Sequence, residues 1–81
     1  MMERTLDEKC RYLIAQGEYD ECKAEIEMAM KRSPDSPIPH NLLGIVLEKE
    51  GDHERAMRHF RAAYALDPSY QPSRVNLERF G

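Results

Sequence analysis

Apolar residues in the second half of the chain recur at spacings of three and four, and the residues between these runs mark the ends of two helices. Ser36 followed by Pro37 predicts a helix start, because serine caps free amides and proline needs no N–H in the first turn. Gly51 ends this helix, and Asp52 begins a second helix that stops at Pro68. The pattern therefore predicts an antiparallel helical hairpin joined by a short Gly-Asp turn.

Each helix of this hairpin carries an apolar stripe on one face. The stripes consist of Leu43, Gly44 and Leu47 in the first helix and Ala56, Phe60 and Ala63 in the second. With the closing Asp67-Pro68, these positions have the spacing of the tetratricopeptide repeat, a helix–turn–helix unit of about 34 residues, which this stretch resembles. The resemblance implies an all-α solenoid of stacked antiparallel hairpins. His40 departs from the pattern, since the family often places a bulky residue there.

The first half of the chain repeats the pattern with a weaker match. A shift of one repeat length places Gly17 where the second half has Gly51, and Pro34 where it has Pro68. We therefore expect a single domain over residues 1–81, with a first repeat over about residues 3–36 and a second over about 37–70. In the first repeat, Thr5 and Glu8 have the spacing of a capping box.

A short fifth helix is expected over about residues 71–80, with Ser69 as its cap and Pro72 in its first turn. We expect it to cover the open face of the second repeat, since terminal repeats need a cap. Two alternatives are that the chain is a fragment of a longer array, and that two chains stack end to end.

Composition limits the function classes. The chain has 81 residues, a net charge of −3 and a pI near 5.6, which disfavours nucleic acid and anionic membranes as partners. It shows no apolar signal core and no membrane span, so a cytoplasmic location is expected. No phosphate-binding loop, catalytic triad order or metal-ligand run is present, so we expect no enzyme activity and no cofactor.

Cys10 and Cys22 occupy the first-repeat positions that correspond to Gly44 and Ala56 and should face each other across the first hairpin. Two buried, reduced thiols are favoured, with a disulfide or redox switch as the alternative. A zinc site is not predicted, because the cysteine spacing fits no zinc motif and the histidines should not converge on the cysteines. The histidines are His40, His53 and His59.

A local basic patch is expected on the fourth helix. It comprises His53, Arg55, Arg58, His59 and Arg61. We interpret it as a solvated helix face, because no aromatic residues interleave the charges. Contact with RNA or with an acidic partner is the alternative.

The resemblance implies a protein-interaction module that binds a peptide or a partner's helix in a concave groove. The inner sides of the first, third and fifth helices would line it, and the expected lining residues are Arg4, Asp7, Arg11, Ile38, Asn41, Ile45, Glu48, Val75 and Arg79. The expected structural residues are Cys10, Cys22, Leu43, Gly44, Leu47, Ala56, Phe60, Ala63 and Pro68.

Three groups within this predicted groove have distinct roles. An apolar floor would lie beside the cations of Arg11 and Arg79, and the amide of Asn41 would pair with a peptide backbone. The implied ligand mixes apolar and acidic residues. Neighbouring helices could instead cover Ile38 and Ile45. The rival function is a self-associating scaffold, with weak homo-oligomers through the terminal helices.

Overall fold

The computed structural model describes residues 4–81, which form five α-helices and no strand. The helices are α1 (Leu6–Ala15), α2 (Tyr19–Arg32), α3 (Pro37–Lys49), α4 (His53–Leu66) and α5 (Gln71–Phe80). The predicted all-α class with about five helices is confirmed. The expected start of the first repeat at residue 3 lies outside the described residues. Within the described range, no helix has the length and apolar character needed to span a membrane.

Side-chain caps begin three of the helices as predicted. Thr5 and Glu8 form a reciprocal capping box at α1. The hydroxyl of Ser36 accepts from the backbone N–H of Ile38 at α3, and the carboxylate of Asp52 accepts from the N–H of Arg55 at α4. These bonds satisfy amides that have no partner inside the helix.

Glycines in left-handed backbone conformation turn the chain after α1 and α3. Gly17 has φ of 74° and Gly51 has φ of 84°, values that side chains with a Cβ rarely adopt. The tight turns bring α2 back against α1 and α4 back against α3, so both hairpins are antiparallel.

The predicted cap of α5 was wrong. Tyr70 is the N-cap residue, and Ser69 bonds to Asp67 instead, donating both its hydroxyl and its backbone N–H to Oδ1. The carboxylate of Asp67 thus organises the turn after α4, as an Asx turn does. Pro72 lies in the first turn of α5, as expected.

Helix α3 is the centre of the molecule and packs against the other four helices. Its apolar residues are buried almost all round, as expected of a helix without a polar face. The buried core comprises Cys10, Leu13, Cys22, Ile26, Ala29, Leu42, Leu43, Val46, Leu47, Ala56, Met57, Phe60 and Ala63. Helix α5 packs against α4, and the ring of Phe80 stacks on that of Phe60 near the middle of α4, with 5.8 Å between centroids.

Candidate functional site

A groove of about 650 Å³ lies between α1, α3 and α5. Its lining residues come from all three helices and from the α4–α5 turn. They are Asp7, Arg11, Ile14, Ala15, Asn41, Leu42, Ile45, Lys49, Tyr70, Gln71, Pro72, Val75, Asn76 and Arg79. Because α1 and α5 both contact α3, the groove has α3 as its floor and the two outer helices as its walls.

The apolar part of the groove is formed by one residue from each wall and two from the floor. Ile14 of α1 and Val75 of α5 flank Leu42 and Ile45 of α3. Val75 is 50% exposed, although it is a large apolar residue, whereas Ile45 is half-buried. The groove therefore offers apolar surface that a ligand side chain could cover.

Three cations and one carboxylate give the groove a net positive charge. Arg11 donates from Nε to Oδ2 of Asp7 at 2.6 Å, so these two charges largely offset each other. Lys49 and Arg79 have no salt-bridge partner among residues 4–81. The groove of an acidic protein thus carries two cations that are available to an anionic ligand.

Asn41 does not present its amide as predicted. The side chain is only 3% exposed, and its Oδ1 accepts from Nδ2 of Asn76 at 2.9 Å. This hydrogen bond ties α5 to α3 under the groove. The Asn41 side chain thus supports the groove, and the half-buried Asn76 is its partner on the α5 wall.

Tyr70 was missed as a groove residue. Burial raises the pKa of its phenol, with a further rise from the negative charge of Asp7 and an opposing effect from Arg11. The hydroxyl therefore stays protonated at pH 7 and can donate a hydrogen bond. The turn position of Tyr70, just before α5, gave no periodic signal in the sequence, whereas Lys49 lies four residues after Ile45 and could have been found by helical spacing.

Three predicted groove residues lie elsewhere. Arg4 stacks over the ring of Tyr12 at 5.0 Å, Ile38 lies in a shallow depression beside Leu6, and Oε2 of Glu48 is 2.7 Å from Nδ1 of His53.

The misplacement of Ile38 and Glu48 has a geometric reason. The two residues are ten positions apart. Since each residue rotates by about 100° around the helix axis, their side chains point in directions about 80° apart. The predicted stripe thus leaves the groove at both ends, and only its middle, with Asn41 and Ile45, lines it.

The basic patch on α4 is smaller than predicted, because His59 is turned towards α3. Its Nδ1 is 3.2 Å from Nδ1 of His40, and the rings stack with centroids 5.4 Å apart. Burial lowers the pKa of both imidazoles. Two of the arginines pair within α4 or with its cap, Arg55 with Asp52 at 3.6 Å and Arg58 with Glu54 at 3.7 Å.

Cys10 and Cys22 are fully buried free thiols that face each other between α1 and α2. Cys22 donates to the carbonyl oxygen of Cys10, with 3.9 Å between sulfur and oxygen. Burial raises the pKa of the Cys10 thiol to about 12, so that this thiol is protonated at pH 7. This environment suits packing and disfavours nucleophilic chemistry.

Stacked antiparallel hairpins around a central helix place the chain among the helical-repeat proteins. Residues 37–70 match the family model described as Tetratricopeptide repeat, which covers less than half of the chain. Residues 37–70 are thus similar to a tetratricopeptide repeat, and the five-helix fold is consistent with that similarity. No curated protein and no solved structure matches the chain. The division of residues 3–36 into a first repeat and 71–80 into a cap stays a prediction.

Proposed function

We propose that the chain is a non-catalytic protein-interaction module and that the groove between α1, α3 and α5 binds a short acidic and apolar segment of a partner. The family supplies the general class, because tetratricopeptide repeats typically mediate protein–protein interaction. The observation that carries the proposal is the pair of unpaired cations, Lys49 and Arg79, beside exposed apolar surface at Val75.

Charge and shape favour a peptide over other ligands. A groove of about 650 Å³ is open on one side, so an extended segment or a single helix can lie along it. Acidic side chains of the ligand would meet Lys49 and Arg79, while an apolar side chain covers Val75 and Ile45. The net charge of −3 of the whole chain opposes nucleic acid and anionic membranes as partners, and we place the module in the cytoplasm.

A charge-reversal pair tests this proposal. The variant Lys49→Glu/Arg79→Glu should lose at least about tenfold in affinity for peptides selected from a display library against the wild-type chain, since each rim charge steers association. The matched control is Arg61→Glu/Arg74→Glu, which makes the same charge change at exposed positions that do not line the groove. Calorimetry measures affinity, and far-ultraviolet circular dichroism checks folding. An equal loss of peptide affinity in both variants, or no loss in either, would contradict the proposal that the groove is the binding site.

Self-association as a structural scaffold is the second candidate function. Its support is the apolar surface of the first hairpin, where Tyr12 is 52% and Met28 is 56% exposed, away from the groove. Light scattering after size exclusion across concentrations separates the candidates. A monomer that binds selected peptides supports the module, whereas a dimer that Met28→Lys dissociates supports the scaffold.

A further inference from the structure

The outer side of the first hairpin, away from α3, is not covered by any helix of residues 4–81. Helices α1 and α2 contact each other and α3, whereas α4 has α5 as a further neighbour. Lys23 of α2 bridges to Glu50 at the end of α3. Glu21 and Glu25 lie two residues before and after Lys23, so their side chains point about 160° away from it and therefore away from α3.

Two exposed apolar side chains lie on this outer side. Tyr12 is 52% exposed and shares a depression of about 290 Å³ between α1 and α2 with Lys9, Glu21 and Glu25. Met28 is 56% exposed and lies three residues after Glu25, on the same side of α2. These five residues define what we call the outer face.

In the second hairpin, the matching side of the first helix is buried. One repeat length after Lys9 and Tyr12, helix α3 has Leu43 and Val46, and both belong to the shared core. The first hairpin thus leaves open a side that its counterpart buries against another repeat. A stack of repeats exposes such a side wherever no neighbour covers it.

The charges of the outer face are divided between its two helices. Lys9 supplies a cation on α1, and Glu21 and Glu25 supply carboxylates on α2. None of the three has a salt-bridge partner among residues 4–81. A surface with a cation on one half and carboxylates on the other can match a copy of itself, because a two-fold axis brings unlike halves together.

We propose that a second copy of the chain covers the outer face and forms a two-fold symmetric dimer. An axis parallel to the helices lays α1 of each copy on α2 of the other. Lys9, Glu21 and Glu25 line one depression and so lie at a common level along the hairpin, which this axis preserves. Each Lys9 then faces the carboxylates of the other copy, and both apolar side chains, Tyr12 and Met28, lie in the interface.

This inference rests on self-association, the second candidate function, and not on peptide binding. No outer-face residue lines the groove between α1, α3 and α5, so the dimer leaves the groove open. A chain that stays monomeric would overturn the dimer without affecting the groove. A dimer that binds no selected peptide would overturn the groove without affecting the dimer.

Charge reversal with rescue tests the dimer. Sedimentation of the wild-type chain from about 10 µM to about 1 mM should show a monomer–dimer equilibrium. Lys9→Glu and Glu21→Lys should each weaken it at least about tenfold, since the symmetry places each like-charge contact in the dimer twice. An equimolar mixture of the two variants should dimerise again, because each copy then meets the opposite charge. Glu27→Lys is the matched control, since Glu27 is exposed on α2 but lies outside the outer face.

A second measurement does not depend on the variants folding. In nuclear magnetic resonance spectra of the wild-type chain, rising concentration should shift the backbone signals of Tyr12 and Met28 and leave those of Ile45 and Val75 in place. The proposal is wrong if the chain remains monomeric, if it forms assemblies larger than a dimer, or if the groove signals shift instead. It is also wrong if the mixture dimerises no better than either variant alone, or if Glu27→Lys weakens the dimer equally.

Discussion

At the residue scale, the closest packing in the second hairpin joins a glycine to a phenylalanine. A Cβ built on Gly44 would overlap the Cε1 atom of Phe60 and lie 2.6 Å from Cδ1 and 2.8 Å from Cζ. Phe60 is fully buried, so its ring could give way only by displacing neighbouring core side chains. The absence of a side chain at position 44 is therefore what lets α3 and α4 approach each other.

In the first hairpin, a different pair of residues occupies the positions of this close contact between the two helices. The positions that correspond to Gly44 and Phe60 hold Cys10 and Ile26, and both are fully buried. A larger residue on the first helix is thus accompanied by a smaller one on the second. This exchange keeps the summed volume within what a close-packed interior accepts.

The substitution Gly44→Ala should destabilise the protein by about 1–3 kcal/mol through overpacking. The expected change in stability has the opposite sign to the usual effect of this substitution, since alanine normally stabilises a helix by about 1 kcal/mol over glycine. In the Phe60→Leu background the cost should shrink, with a coupling of about 1 kcal/mol. Urea denaturation of the wild type, the two single variants and the double variant measures the coupling free energy of this double-mutant cycle. Equal costs of Gly44→Ala in both backgrounds would show that Phe60 does not cause the effect.

The sequence predicted which residues are buried better than which face each other. Regular spacing marks a core side of a helix, and the stripe residues from Leu43 to Ala63 are accordingly buried. Spacing carries no information about a polar contact between two helices, so the His40–His59 and Asn41–Asn76 pairs were not predicted. Both depend on the rotation of each helix about its own axis, which only the packed structure fixes.

At the element scale, helix ends were the most predictable feature. Proline, glycine and capping residues act through the backbone of their own neighbours, and the α3–α4 joints follow from Ser36, Gly51 and Asp52 alone. The start of α5 was less predictable, because the hydroxyl of Ser69 bonds to Asp67 and Tyr70 takes the N-cap position without a side-chain capping bond. The turn after α4, and not the sequence of α5 itself, therefore determines which residue takes the N-cap position of α5.

The contact between α3 and α4 at the histidine pair should weaken as pH falls. Burial lowers the pKa of His40 and His59 below 6.5 in the folded state, and the positive charge of Arg55 adds to the lowering for His59. The unfolded chain therefore binds more protons than the folded chain just below pH 6.5. Since stability rises with pH wherever the unfolded state holds more protons, the free energy of unfolding should decrease as pH falls through 6.5.

Urea denaturation with a metal chelator present, at steps from pH 7.5 to 5.5, checks this prediction. The double variant His40→Gln/His59→Gln should show a flatter dependence than the wild type. His53→Gln is the control and should retain the slope, because His53 is exposed and belongs to a different pair. A slope unchanged in the double variant would assign the pH dependence to other groups.

At the scale of the whole molecule, the two hairpins share one core. Ile26 of α2 belongs to the same buried cluster as Val46 and Leu47 of α3, so no boundary separates the hairpins. On the surface, Nζ of Lys23 lies 2.9 Å from Oε2 of Glu50, which joins α2 to the end of α3. Such a surface pair contributes about 1 kcal/mol or less, so the shared apolar core holds the hairpins together.

The shared core predicts that the chain unfolds in a single transition, since each repeat unit depends on its neighbour for burial. Ile26→Ala in the first hairpin should cost about 2–5 kcal/mol and Phe60→Ala in the second about 3–5 kcal/mol. At 81 residues, where burial covers only roughly 60–65% of the unfolded surface, either loss removes much of the total stability. Each variant should therefore lower the same transition, whichever hairpin carries it.

Native-state hydrogen exchange provides the decisive measurement. In Phe60→Ala, exchange of the core amides of α2 should accelerate as much as that of α3, although α2 does not contain the substitution. The control is Tyr64→Ala, which changes a 40% exposed aromatic residue on the same helix and should leave α2 protection near the wild-type value. If α2 keeps its protection in Phe60→Ala, or if two transitions appear on denaturation, the hairpins fold independently and α3 does not couple them. Loss of protection in both hairpins together would mean that a ligand in the groove, which contacts α1, α3 and α5, stabilises the whole chain and not one repeat.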